Sequence, residues 1–160
     1  MDIFDYAMQM EKDGESFYRS IAVKTDNNGL KAIVTMLADE EVKHYQVIER
    51  IKQDQYEMPE TNILDDAKSI FIQMKEKGED FDSDLEQIEL YKKAQEIEKE
   101  SQQFYQGKAN EVDKDIQKQL FKQLAKEEEK HYFLLDNMIE FVSRPKQWLE
   151  NAEWYHLDEY

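Results

Sequence analysis

The sequence contains no cysteine. Disulfides, thiolate zinc sites, iron–sulfur clusters and cysteine nucleophiles are therefore excluded. Backbone breakers are scarce, with 4 glycines and 2 prolines in 160 residues. A chain so poor in turn formers, and rich in Glu, Lys, Gln, Leu, Ile and Met, favours long helices over sheets. No apolar run approaches the roughly 18 residues needed to span a membrane. The start, Met1-Asp2-Ile3-Phe4-Asp5, is acidic and unlike a secretory signal, so a cytoplasmic protein is expected.

Positive charge is also in short supply. The chain has 21 Lys and Arg against 37 Asp and Glu, a net charge of −16. Such a surface repels nucleic-acid phosphates and anionic membranes, which excludes both as expected partners. It attracts cations and basic proteins. Most of these carboxylates read as a solvated helical surface. Apolar residues still make up 40%, enough for one domain with a core.

What the sequence does contain is an internal repeat. Ala7-Met8-Gln9-Met10-Glu11-Lys12 through Phe17-Tyr18 resembles Ala94-Gln95-Glu96-Ile97-Glu98-Lys99 through Phe104-Tyr105. Leu37 through Tyr45 resembles Leu124 through Tyr132. The offset is 87 residues in both cases (94 − 7 and 131 − 44), and it relates two of the three histidines.

Each copy reads as a helical hairpin. The first turns at Asp26-Asn27-Asn28-Gly29 and the second near Asn110-Glu111-Val112-Asp113. Between the copies, after Met58-Pro59, residues Ile63, Leu64, Ala67, Ile70, Phe71 and Met74 follow helical spacing and stop near Gly78. This is expected to be a crossover helix. Ser83 with Glu86 forms a candidate capping box for the third main helix. The expected fold is all-α: an up-down-down-up four-helix bundle with a crossover helix between helices 2 and 3. The bundle is expected over 1–142. The tail 143–160, with Trp148, Trp154, Tyr155 and Tyr160, is expected to pack on the bundle or on a second subunit.

The apolar stripes of these helices carry polar insertions. Leu30, Val34, Leu37, Ile48 and Ile51 share a stripe with Glu41 and His44. Phe121, Leu124, Leu135 and Met138 share one with Glu128 and His131. Glu11 lies on a stripe with Phe4, Ala7, Gly14, Tyr18 and Ile21, and Glu98 on one with Tyr91, Ala94, Ser101 and Tyr105. Glu11 and the Glu41–His44 pair both lie about 15 residues from the first turn, or about 22 Å along their helices. The second hairpin has the same spacing, so all six groups are expected at one level.

Four carboxylates in an apolar core would each carry a desolvation penalty of several kcal/mol and would repel one another. Two divalent cations neutralise them. Carboxylate and imidazole donors suit iron or manganese, and also zinc. A Glu-x-x-His pair on each of two helices, with one Glu from each of the others, is a dimetal arrangement. The expected ligands are Glu11, Glu41, His44, Glu98, Glu128 and His131. Glu40 and Glu127, four residues before the histidines, are alternatives in register. Tyr18 and Tyr105 are candidates to hydrogen-bond and orient the ligating carboxylates. Phe17, Phe104, Tyr45 and Tyr132 are expected to pack, and His156 has no partner pattern.

On these residues the chain resembles the rubrerythrin-type branch of the ferritin-like superfamily over about residues 1–142. The resemblance implies a non-haem di-iron site, reaction with hydrogen peroxide or dioxygen, and a homodimer. Two departures stand out. Rubrerythrins append a rubredoxin domain with a four-cysteine iron site, whereas this chain has no cysteine and would need a separate, rubredoxin-like electron donor. Rubrerythrins also carry an additional carboxylate one turn after the helix 3 ligand, where this chain has Ser101. Glu15, one turn after Glu11, is the candidate substitute.

Overall fold

The helix boundaries follow from local capping chemistry. In the computed structural model, which describes residues 2–78 and 81–160, Asp2 accepts a hydrogen bond from the Asp5 amide at 2.7 Å and starts α1, Ile3–Lys24. Asn27 does the same for the Leu30 amide at 2.8 Å and starts α2, Asn28–Lys52. The first turn is therefore shorter than its run of turn formers implied: Asn28 and Gly29 already belong to α2.

The crossover helix α3 spans Ile63–Lys77 and ends on Gly78 at φ 63°, a left-handed position that suits glycine. Next comes α4, Leu85–Lys108. Its cap is Asp84, whose carboxylate accepts from the Gln87 amide at 3.1 Å, and not the expected Ser83. An ionised acceptor at the positive end of the helix outcompetes the neighbouring hydroxyl. The second hairpin closes through residues 109–114 into α5, Asp115–Ser143. The short α6, Pro145–Glu150, and a 3₁₀ helix, Glu153–Glu159, complete the chain.

Within each hairpin the helices pack along their lengths, α1 on α2 and α4 on α5. The hairpins meet more thinly, through an α1–α4 seam and an α2–α5 seam. Four long helices in this order, with α3 crossing between the pairs, form a ferritin-like bundle. Among the described residues no helix is long and apolar enough to cross a membrane.

Two apolar clusters fill the bundle. One holds Tyr18, Ile21, Leu37, Phe71, Tyr91, Leu134 and Phe141. The other holds Ala7, Val47, Ile48, Tyr105, Phe121 and Leu124. The polar residues of the four stripes lie between them, so the core is interrupted by one layer.

The tail lies on its own chain's bundle. Trp148 is fully buried, with its ring 4.5 Å from Phe71 and 5.7 Å from Phe141. Trp154 is also buried, and Lys75 lies over its ring at 5.0 Å. Tyr155 and Tyr160 remain at the surface.

Candidate metal centre

Six side chains form the polar layer: Glu11 from α1, Glu41 and His44 from α2, Glu98 from α4, and Glu128 and His131 from α5. None is more than 3% exposed. The imidazoles of His44 and His131 lie parallel, 5.5 Å apart with planes at 6°. His44 Nδ1 is 2.7 Å from Glu128 Oε1 and 3.6 Å from Glu11 Oε2. His131 Nδ1 is 3.3 Å from Glu98 Oε1 and 3.4 Å from Glu41 Oε1.

These atoms form two overlapping groups. Glu11, Glu41, His44 and Glu128 offer donor atoms within 4.8 Å of one another. So do Glu41, Glu98, Glu128 and His131. Glu41 and Glu128 belong to both. Each group draws on both hairpins, and the repeat exchanges one group for the other.

The layer is not self-sufficient as a hydrogen-bond network. Glu11 Oε2, Glu41 Oε1, Glu98 Oε2, Glu128 Oε1 and His44 Nδ1 are buried without a hydrogen-bond partner among the described residues, although several lie close together. Close approach without alignment is what donor atoms aimed at a common point produce. Buried lone pairs left unpaired are costly, and a cation in each group removes that cost. The residues therefore fit a dimetal site.

Electrostatics give the same picture. Burial, together with the charges of Glu11, Glu128 and Glu98, holds the Glu41 carboxyl well above its usual range. Burial and the charges of Glu98 and Glu11 do the same to Glu128. Burial also opposes ionisation of Glu98, but the His131 charge and hydrogen bonds from Glu128, His131 and Tyr18 outweigh it and bring this carboxyl down to about 2. Glu11 is lowered likewise: burial is outweighed by Glu41, His44 and Tyr105. For His44, burial is outweighed by Glu11 and Glu128, and the imidazole is held well above its ordinary value. Without metal, the layer retains protons to offset its own charge.

Two tyrosines enter the layer from opposite sides. Tyr18 donates to Glu98 Oε1 at 2.5 Å, and Tyr105 donates to Glu11 Oε1 at 2.6 Å. Each therefore serves the glutamate of the other hairpin rather than the one two turns before it. Antiparallel α1 and α4 impose this exchange.

A family model described as Rubrerythrin matches residues 2–139. The chain belongs to the rubrerythrin family. No curated protein and no solved structure matches it.

Within this rubrerythrin chain, Glu15 does not join the layer. Its carboxylate pairs with Arg19 at 3.0 Å on the partly exposed side of α1. The extended side chain that reaches Arg19 cannot also turn inward. Ser101 is buried one turn after Glu98 and lines a groove of about 530 Å³ between α1 and α4, with Met10, Asp13, Ile97 and Phe104. At the position related to Ser101 by the repeat stands Gly14. A Cβ there would lie 3.1 Å from Glu41 Oε2, so the glycine makes room for that carboxylate. Glycine on a core stripe one turn from a buried glutamate was a signal that sequence reading passed over.

Elsewhere, His156 lies half-exposed, 4.0 Å from Glu140 and near Glu153, whose carboxylate is taken by Arg144. Tyr132 is exposed, not packed as expected, because it faces outward from α5 beside the buried His131.

Proposed function

We propose that this chain is a di-iron oxidoreductase that reduces hydrogen peroxide, or dioxygen, with electrons from a separate rubredoxin-like donor. The two overlapping buried groups that share Glu41 and Glu128 carry this reading. In it, Glu11 and His44 would hold one ion and Glu98 and His131 the other, with Glu41 and Glu128 present in both donor groups. Four carboxylates against two divalent charges leave the layer neutral. If bound there, two ferrous ions would supply Lewis acidity and the two electrons needed to convert peroxide, with two protons, to two waters. Manganese or zinc would fit the same donors, and only a redox-active metal supports the reaction.

The chain's own residues orient and enclose that site. Tyr18 and Tyr105 fix the orientation of Glu98 and Glu11 through short charge-assisted hydrogen bonds. Their hydroxyls stay protonated: burial, then the charge of Glu98 for Tyr18 and of Glu11 for Tyr105, keeps both well above the ordinary phenol range. The apolar clusters above and below exclude bulk water. The groove over Ser101 lies on the α1–α4 side, one turn from Glu98.

A second reading is an iron-handling protein without sustained turnover. Ser101 favours it, standing where the resemblance leads one to expect a further carboxylate, while Glu15 is engaged by Arg19. One experiment separates the two. Protein loaded anaerobically with two ferrous ions per chain is mixed with peroxide, then supplied with a reduced rubredoxin. Rapid oxidation with repeated turnover is expected. One oxidation without turnover selects the second reading, and no oxidation refutes both. The same reading carries a cytoplasmic homodimer as its expected form.

A further inference from the structure

Glu40 lies one residue before Glu41, yet its side chain is only 9% exposed. A carboxylate oxygen of Glu40 lies within 4.8 Å of a ring nitrogen of His44 and of one of His131. It therefore stands beside the imidazole pair at the α2–α5 seam, without a hydrogen bond to His131 Nε2. It is also tied down from outside the bundle. Thr61, in the segment leading into α3, donates to Glu40 Oε1 at 2.8 Å, and Lys43 Nζ lies 3.4 Å from the same oxygen.

The repeat supplies an internal comparison. Glu127 and Lys130 occupy the related positions in α5, with Lys130 at 3.2 Å from Glu127 Oε1. Among the described residues no hydrogen bond from the segment before α3 reaches Glu127, and its Oε2 is buried without a partner. Glu40 is thus the anchored member of the pair.

His131 shows what this anchoring serves. Its Nδ1 faces Glu98 and Glu41. An imidazole nitrogen that binds metal carries no proton, so the proton resides on Nε2. That atom is buried and has no hydrogen-bond partner among the described residues. A ring N–H directed away from a metal ordinarily requires an acceptor, which fixes both the tautomer and the ring plane.

We propose that Glu40, held by Thr61, is the positioning residue for the histidine pair. With metal bound, Glu40 accepts the outward N–H of His131 and makes the crossover segment part of the metal site. This rests on the ligand assignment proposed above. Glu40 touches no metal in this arrangement; it acts through the imidazole.

Zinc alone is the probe, titrated into the full chain against a competing chelator. Ions per chain are counted by elemental analysis. Glu40→Gln and Glu40→Ala are expected to keep two ions and to bind them roughly 10- to 100-fold more weakly. Thr61→Val should shift affinity in the same direction by less. Glu60→Gln, which removes a charge from the same exposed segment, should bind as the unmodified chain does. Nitrogen-15 spectra of the zinc-loaded protein should show a slowly exchanging His131 Nε2–H that Glu40→Ala abolishes while the thermal midpoint of the metal-free protein is kept. A merely structural role would not move that resonance selectively. Unchanged affinity in both Glu40 variants overturns the inference. So does a fall to one ion per chain, which would make Glu40 a ligand itself. If the unmodified chain fails to bind two ions, the ligand assignment falls and this inference with it.

Discussion

The tyrosine–glutamate pairs allow the charge state of the layer to be tested without touching a proposed ligand. Tyr105→Phe removes one oxygen from a fully buried ring and leaves the packing shape intact. The hydroxyl lost donates to Glu11 Oε1 at 2.6 Å, while Glu11 Oε2 already lacks a partner. Both carboxylate oxygens would then be unsatisfied. A hydrogen bond to a charged group contributes about 1.5–3 kcal/mol. Each kcal/mol moves the midpoint of a domain of this size by roughly 2–4 °C, so a loss near 2 kcal/mol gives a drop of about 4–8 °C in the metal-free protein. Tyr18→Phe, which strips a 2.5 Å bond from Glu98, should cost a similar amount. Tyr91 is the internal control. It is equally buried, but its hydroxyl has no partner among the described residues, so Tyr91→Phe should be neutral or stabilising. The assay is thermal and urea unfolding of metal-free protein. Losses below about 0.5 kcal/mol in both Tyr18→Phe and Tyr105→Phe would refute the claim that these hydroxyls hold ionised carboxylates.

Two further outcomes follow from the same geometry. Glu41 and Glu128 have carboxyls raised above 4.5 and His44 is raised above 6.5, so their contributions are present at low pH and lost as pH rises through the raised values. Glu98, lowered to about 2, and Glu11, also lowered, contribute above 4.5 and lose that only at strongly acid pH. Metal-free protein should therefore melt progressively lower from about pH 5 upward. Glu41→Gln should flatten the slope, which repulsion across the −16 surface would not allow; a flat or rising profile in the unmodified metal-free chain would contradict the assignment. Gly14→Ala places a Cβ 3.1 Å from Glu41 Oε2. In metal-free protein the carboxylate can shift, and the helix propensity gain of up to about 1 kcal/mol should dominate. With metal bound Glu41 is fixed, so the same variant should bind zinc more weakly in a competition titration, and unchanged affinity would remove Gly14 from the site.

Much of the architecture was legible because it rests on periodicity. A stripe such as Leu30, Val34, Leu37, Ile48 and Ile51 fixes which face of α2 turns inward, so the burial of Glu41 and His44 follows from their positions alone. The repeat then extends this to the second hairpin. What was not legible depends on how helices from different hairpins sit against each other. The exchange of Tyr18 and Tyr105 between glutamates needs the antiparallel register of α1 and α4. The approach of Thr61 to Glu40 needs the path of the crossover segment. Local competition hid smaller features: Asp84 displaces Ser83 as a cap, and Arg19 draws Glu15 away from the layer.

The arrangement of contacts gives the polar layer a structural role beside its chemistry. Packing within each hairpin is extensive, whereas the seams between hairpins are thin. Yet Tyr18–Glu98, Tyr105–Glu11, His44–Glu128 and His131–Glu41 all cross from one hairpin to the other. Neither hairpin alone contains a full donor group, because Glu41 and Glu128 are each shared with the opposite side. An ion in either group therefore joins the hairpins through their weakest contact. Binding energy for the metal is also binding energy between the two halves of the repeat. That coupling explains how four carboxylates, which would push an apolar core apart, can persist at its centre: the groups that strain the metal-free bundle are the ones that close it when cations are present.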